Sequence, residues 1–164
     1  RVIGGRSALG ARRQVFFVSI GGFDTHDAQR VNQGNLMTRL GQALEYFDRL
    51  LAGPSVNALN EVTLFTASDF GRTLTSNGDG TDHGWGAHHF VTGGAVRGKD
   101  VYGRFPVIGV NTDDDVGQGR LLPAVSVDQY AATLARWFGL TASQLDEVFP
   151  NLRNFPMVDL GFMA

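Results

Sequence analysis

Val62-Thr63-Leu64-Phe65-Thr66-Ala67-Ser68-Asp69-Phe70-Gly71-Arg72 is the stretch on which the reading of this chain turns. Its first five residues are apolar or β-branched without polar alternation, the pattern of a strand buried on both faces. The run closes on an acid, Asp69, and opens a glycine-rich loop that continues to His89. All four histidines of the chain, His26, His83, His88 and His89, lie in this loop or just past one earlier strand. Imidazoles and carboxylates gathered in loops at strand ends are where catalytic and metal-binding groups concentrate.

The earlier strand is Gln14-Val15-Phe16-Phe17-Val18-Ser19-Ile20, a continuous β-branched and aromatic run ended by Gly21-Gly22. Phe23-Asp24-Thr25-His26-Asp27 follows. If this segment stays extended, Asp24 and His26 point to the same side, because side chains repeat every two residues. A carboxylate and an imidazole so placed can reach one cation; the plainer reading is a helix-capping Asp24 and a surface His26. Between the two strands, Leu36, Leu40, Ala43, Leu44, Phe47, Leu50 and Leu51 recur at offsets of three and four, which predicts a helix over Asn35–Ala52. Gly53-Pro54 ends it. Strand, helix and strand make a βαβ unit, so the expected fold is α/β, a mainly parallel sheet flanked by helices.

Upstream, Arg1 to Arg13 is basic and punctuated by glycine, and reads as a flexible arm or connector (1–13) ahead of the α/β body (14–164). Its Val2-Ile3-Gly4-Gly5 is like the activated end of a trypsin-like protease, but no Gly-Asp-Ser-Gly follows. With no initiator Met, removal of a leader or of an upstream region is expected. Downstream, Phe90–Val96 and Val107–Val110 are further strand candidates. Ser126 with Gln129, and Thr141 with Gln144, carry the capping-box spacing and predict helices ending at Gly139 and before Pro150. The tail from Asn151 reads as a surface strap. Asn77, Asp79 and Asp82 lack the spacing and closing Glu of a calcium loop, and Asp113-Asp114-Asp115 reads as a solvated acidic turn.

The 164 residues suit one domain. A net charge of −2 with no basic stripe argues against nucleic acid as a partner, and no run approaches a membrane span. Cysteine is absent, which removes disulfides and thiolate metal sites. The remaining oxygen and imidazole donors suit one divalent ion such as Zn or Mn. Asp24, His26 and Asp69, at neighbouring strand ends in the βαβ arrangement, should converge, with His83 or His88 completing the shell. Of the adjacent His88 and His89, only one should face the site. Arg72, just past Asp69, is the candidate for an anionic substrate.

Thr66-Ala67-Ser68-Asp69-Phe70-Gly71 resembles the Thr-Ala-Asp-His-Gly metal motif of the alkaline phosphatase and sulfatase superfamily. Phe23-Asp24-Thr25-His26 is similar to its preceding Asp/His motif, and the histidine loop to its last ligand segment. Within the superfamily, the order Phe-Asp-Thr-His, Ser-Asp-Phe-Gly-Arg-Thr and Asp-His resembles a bacterial sulfatase-like family of unknown function (domain of unknown function 1501), usually exported by the twin-arginine route. The likeness runs over nearly the whole chain. It implies a C-terminal portion of an alkaline-phosphatase-like fold, and a periplasmic or secreted location. It also implies a small anionic ester as substrate, with the missing N-terminal half, or another copy of the chain, as a packing partner. Two departures stand out: Phe70 replaces a ligating His, and nothing matches the half that carries the superfamily's nucleophile.

Two functions are therefore expected to compete. One is metal-dependent hydrolysis of phosphate or sulfate esters, incomplete in this chain for want of the nucleophile. The other is a non-catalytic binding or structural module on the same scaffold. Metal binding should weaken below about pH 6.5, where free imidazole protonates.

Overall fold

Helix α1 spans Gln29–Ala52 in the computed structural model, which describes residues 1–164. It starts a turn and a half before the predicted boundary. No side chain caps it; Ala28 precedes it in the left-handed region (φ 47°), and the Gln29 N–H donates instead to the Asp79 carbonyl at 3.0 Å. A distant loop thus supplies the cap that the local sequence lacks. Leu36, Leu40, Leu44, Phe47 and Leu51 form its covered stripe, while Ala43 and Leu50 stay exposed.

The expected parallel sheet does not form. The chain carries two small antiparallel sheets, β1 (Leu64–Phe65) with β4 (Val91–Thr92), and β2 (Gly71–Ser76) with β3 (Thr81–Gly84). The apolar run Val62–Thr66 shortens to two paired residues, and its partner is β4, not Gln14–Ile20. Gln14–Ile20 is outside any strand, so no βαβ unit exists and the alkaline-phosphatase-like α/β class is overturned. The physical reason is that a strand is defined by a neighbour, and apolar composition supplies no neighbour. Val107–Val110 likewise pairs with nothing, and Phe90–Val96 keeps only β4 and an isolated bridge from Val96 to Met163.

The stretch read as a loop, Ser68 to His89, contains the better sheet. Gly71 faces Gly84, Arg72 faces His83 and Ser76 faces Thr81, with an irregularity between Arg72 and Ser76. Asn77 to Gly80 make the turn, closed by the Asn77 N–H on the Gly80 carbonyl (3.1 Å).

Helices α2 (Val127–Phe138) and α3 (Ala142–Val148) follow the sequence closely. Both have complete capping boxes, Ser126 with Gln129 and Thr141 with Gln144, and α2 ends at left-handed Gly139. Ala132, Leu145 and Leu152 form the buried cluster between them and a short 3-10 turn, Leu152–Asn154. The tail crosses α2: Gln129 donates to the Met157 carbonyl (2.6 Å), the Leu160 N–H to Thr133 (2.9 Å), and Arg136 pairs with Asp159 (3.0 Å). In the first segment, Arg6 pairs with Glu61 at 2.6 Å. No helix is long and apolar enough to cross a membrane.

Candidate metal centre

Asp24 and His26 flank the buried Thr25 in the short segment leading into α1. Their side chains meet, with His26 Nε2 2.9 Å from Asp24 Oδ1. The β2–β3 hairpin delivers the third member, for His83 Nε2 lies 2.7 Å from the same oxygen. Asp24, His26 and His83 together offer three donor atoms within 4.8 Å of one another, a group that could hold a metal ion.

Three features press the hairpin onto this segment. Gly80 sits so close that any Cβ would collide with the carbonyls of Thr25 and His26, so only glycine permits the approach. Thr81 donates to Gln29 Oε1 at 2.8 Å, tying β3 to the first residue of α1. Arg72, only 15% exposed in its side chain, joins the two pieces. Its guanidinium donates to the Thr25 carbonyl (2.8 Å), Thr81 Oγ1 (3.0 Å), the Thr81 carbonyl and Asp24 Oδ1 (3.3 Å). The residue proposed to meet substrate is therefore engaged with the chain, where it positions Asp24.

Aromatic packing aligns the imidazoles. Phe70 stacks on His83 with centroids 4.0 Å apart, and His83 on His26 at 5.2 Å. Arg120 donates to the His83 carbonyl at 3.2 Å. Behind His26, its Nδ1 lies 3.4 Å from Asp82 Oδ1 and 3.5 Å from the Asn77 amide, which itself donates to Asp82 (3.0 Å). A carboxylate behind a ligating imidazole orients the ring and raises its basicity. The sequence offers Asp82 to a calcium loop and, with His83, to the Asp-His motif of the resembling family, but not as a partner of His26; that role comes from the hairpin.

The other expected ligands lie elsewhere. Asp69 is exposed, forms no hydrogen bond or ion pair, and is not in the three-residue group. His88 stacks on Phe105 at 4.8 Å. His89 packs near Tyr130 and sits 3.3 Å from the Thr66 hydroxyl. Ring covering, helped by His88, pushes His89 below the usual imidazole range, and burial pushes the Tyr130 phenol up to about 12.

One carboxylate and two imidazoles match the donor chemistry of open zinc and iron sites, which keep positions for water or substrate. The hydrogen bond from His83, offset by burial and aided by the charge of His26, His83 and Arg72, holds the Asp24 carboxyl below its usual range. Its three partners all use Oδ1, so Oδ2 is free for a cation. The 2.7 and 2.9 Å spacings are Nε2-to-Oδ1 contacts in which an imidazole N–H faces the carboxylate. A cation bound through Oδ2 would have to take the place of these protons, with the donors opening to the roughly 3.3–3.5 Å that metal bonds of about 2.0–2.2 Å require. The site is open to water: Asp24, His26 and His83 side chains are 58%, 42% and 48% exposed.

A family model described as a protein of unknown function, DUF1501, matches residues 1–149. The chain belongs to the DUF1501 family. No curated protein and no solved structure matches it. Asp24, His26 and His83, the three residues that could hold a metal ion, all fall inside the matched span.

Proposed function

We propose that this DUF1501 chain binds one divalent transition-metal ion through Asp24, His26 and His83, and that the loaded site hydrolyses small phosphate or sulfate esters. The observation carrying the first half is the convergence of two imidazole Nε2 atoms on one carboxylate oxygen. The second half rests on the resemblance of Phe23–His26 and Thr66–Gly71 to motifs of the alkaline phosphatase and sulfatase superfamily. A periplasmic or secreted location rests on the same likeness.

When bound, the cation supplies polarisation of the ester and a lowered pKa for attached water. Asp24 contributes the negative charge, and His26 and His83 act as neutral donors. Arg72 keeps the carboxylate in place while Phe70 keeps the His83 ring in place. Asp69 is outside this role. A second reading, a binding module without turnover, is favoured by one specific observation, the engagement of the hydroxyl beside Asp69 with the chain itself. The Ser68 hydroxyl donates to the Phe70 carbonyl at 2.9 Å.

Calorimetric titration of chelator-stripped protein with Zn²⁺ and Mn²⁺ tests the site. One ion per chain is expected, with at least about a 100-fold loss of affinity in Asp24→Ala/His83→Ala, since outer partners alone are worth 10–100-fold. No binding by wild type, or equal binding by the double variant, removes the proposal. Turnover of aryl phosphates or sulfates by the loaded protein separates the hydrolase from the binding module.

A further inference from the structure

The tip of the β2–β3 hairpin reads Asn77-Gly78-Asp79-Gly80, and Asn77 is the only asparagine in this sequence that glycine follows. The side-chain carbonyl carbon of an asparagine can close a ring with the backbone nitrogen of the next residue. Glycine at that next position has no Cβ and leaves the nitrogen uncrowded. Asn77 and Gly78 are both exposed, and the place where a Cβ would stand on Gly78 has no other atom within 4 Å. The Gly78 N–H donates to Ser76 Oγ at 3.1 Å and to no backbone carbonyl.

Asp79-Gly80 has similar local chemistry and opposite surroundings. Gly80 is buried against the carbonyls of Thr25 and His26, and the Asp79 carbonyl accepts the Gln29 N–H at 3.0 Å. Rotation of that peptide would break the contact with α1. Within the turn, the Asn77–Gly78 step alone is free to cyclise.

We propose that Asn77 is a self-modification site, deamidating through a cyclic imide, and that its isoaspartate product releases the hairpin tip from the start of α1. The Gly78 nitrogen gives its proton to solvent base and attacks Asn77 Cγ, forming a C–N bond. The Cγ–Nδ2 bond breaks, and Nδ2 leaves as ammonia after taking up a proton. Water then opens the imide at either carbonyl, giving aspartate or isoaspartate. One water is consumed and one ammonia released, with no change of oxidation state.

The consequence follows from what Asn77 touches. Its N–H closes the turn on the Gly80 carbonyl at 3.1 Å, and isoaspartate lengthens the main chain inside that closure by one methylene. Its amide donates to Asp82 Oδ1 at 3.0 Å and lies 3.5 Å from His26 Nδ1. In the product a carboxylate faces Asp82, so a donor is lost and two like charges meet. Asn77 is exposed and the Asp82 side chain is 49% exposed, so water screens the pull of the new charge on a cation. The altered turn decides the outcome: Gly80 and the Asp79 carbonyl withdraw from α1, and Asp82 loses its hold behind His26.

The test compares fresh wild type with protein held for days at physiological temperature and mildly alkaline pH. The tryptic peptide Thr73–Arg97 contains no other asparagine, so its amide-to-acid mass gain reports Asn77 alone. That gain should run at least about tenfold faster than in any other asparagine-bearing peptide, since only here does glycine follow. In the aged protein the Gln29 amide proton should exchange at least about tenfold faster, the mark of a local opening. Zn²⁺ affinity should fall about tenfold, the scale of a lost outer partner. Asn77→Gln, whose longer side chain needs a larger ring, should show none of these changes after the same incubation. A Thr73–Arg97 peptide that ages no faster than the others overturns the site. Unchanged Gln29 exchange in the aged protein, or equal changes in Asn77→Gln, overturns the release. The zinc arm rests on the metal-binding reading: fresh protein that binds no Zn²⁺ removes that reading, while the mass and exchange arms still decide this one.

Discussion

Phe70 lies flat on His83, with ring centroids 4.0 Å apart and planes 1° from parallel. The residue that displaces a ligating histidine in the resembling motif thus buttresses a different histidine. Such stacking is worth about 0.5–1.5 kcal/mol. Phe70→Ala is expected to weaken Zn²⁺ binding about 2–10-fold, with Phe70→Tyr close to wild type. Calorimetric titration of the three proteins checks this, and equal affinities would remove the buttress.

Asp82 stands behind His26 at 3.4 Å. Asp82→Asn is expected to lower metal affinity about 10-fold without touching a ligand, the usual scale for an outer carboxylate. The ¹⁵N shifts of the His26 ring in the Zn²⁺-loaded protein should change with the loss of its Nδ1 partner. Unchanged shifts and affinity would make Asp82 a surface acid only.

Arg72 bridges β2, β3 and the Asp24–Thr25 segment through four acceptors. A lysine cannot reproduce this fork, and unpaired carbonyls would remain. Arg72→Lys should cost about 2–4 kcal/mol in urea unfolding, together with metal affinity. If instead Arg72 met substrate, the same variant would raise KM while leaving stability alone.

The Arg104 guanidinium and the Val107 N–H hold the Asp114 carboxyl down from the usual 3.8 to about 2. Its folded value is below its unfolded value, so between the two the unfolded state binds more protons. Stability from this contact is complete above about pH 4 and lost as pH falls through about 2. The gap in melting temperature between wild type and Asp114→Asn should therefore close on acidification across this window. A gap independent of pH would sink the assignment.

Helices were readable wherever the signals were local. The capping boxes at Ser126 and Thr141 and the apolar stripe of α1 involve residues three or four apart, so the chain specifies them without distant help. The meeting of Asp24 and His26 was legible for the same reason, as a two-residue period. The approach of His83 was not: it depends on a hairpin that glycines disguise as a loop, and on Gly80 fitting against the His26 carbonyl.

Strand pairing was the least legible, because its hydrogen bonds join residues far apart in sequence. The apolar runs Val62–Thr66 and Gln14–Ile20 invite pairing equally, yet one finds β4 and the other finds nothing within the chain. Local periodicity thus determined the helices and one carboxylate–imidazole pair. Tertiary structure alone decided which strands met and which imidazole joined the pair, since both depend on packing that no short window of sequence contains.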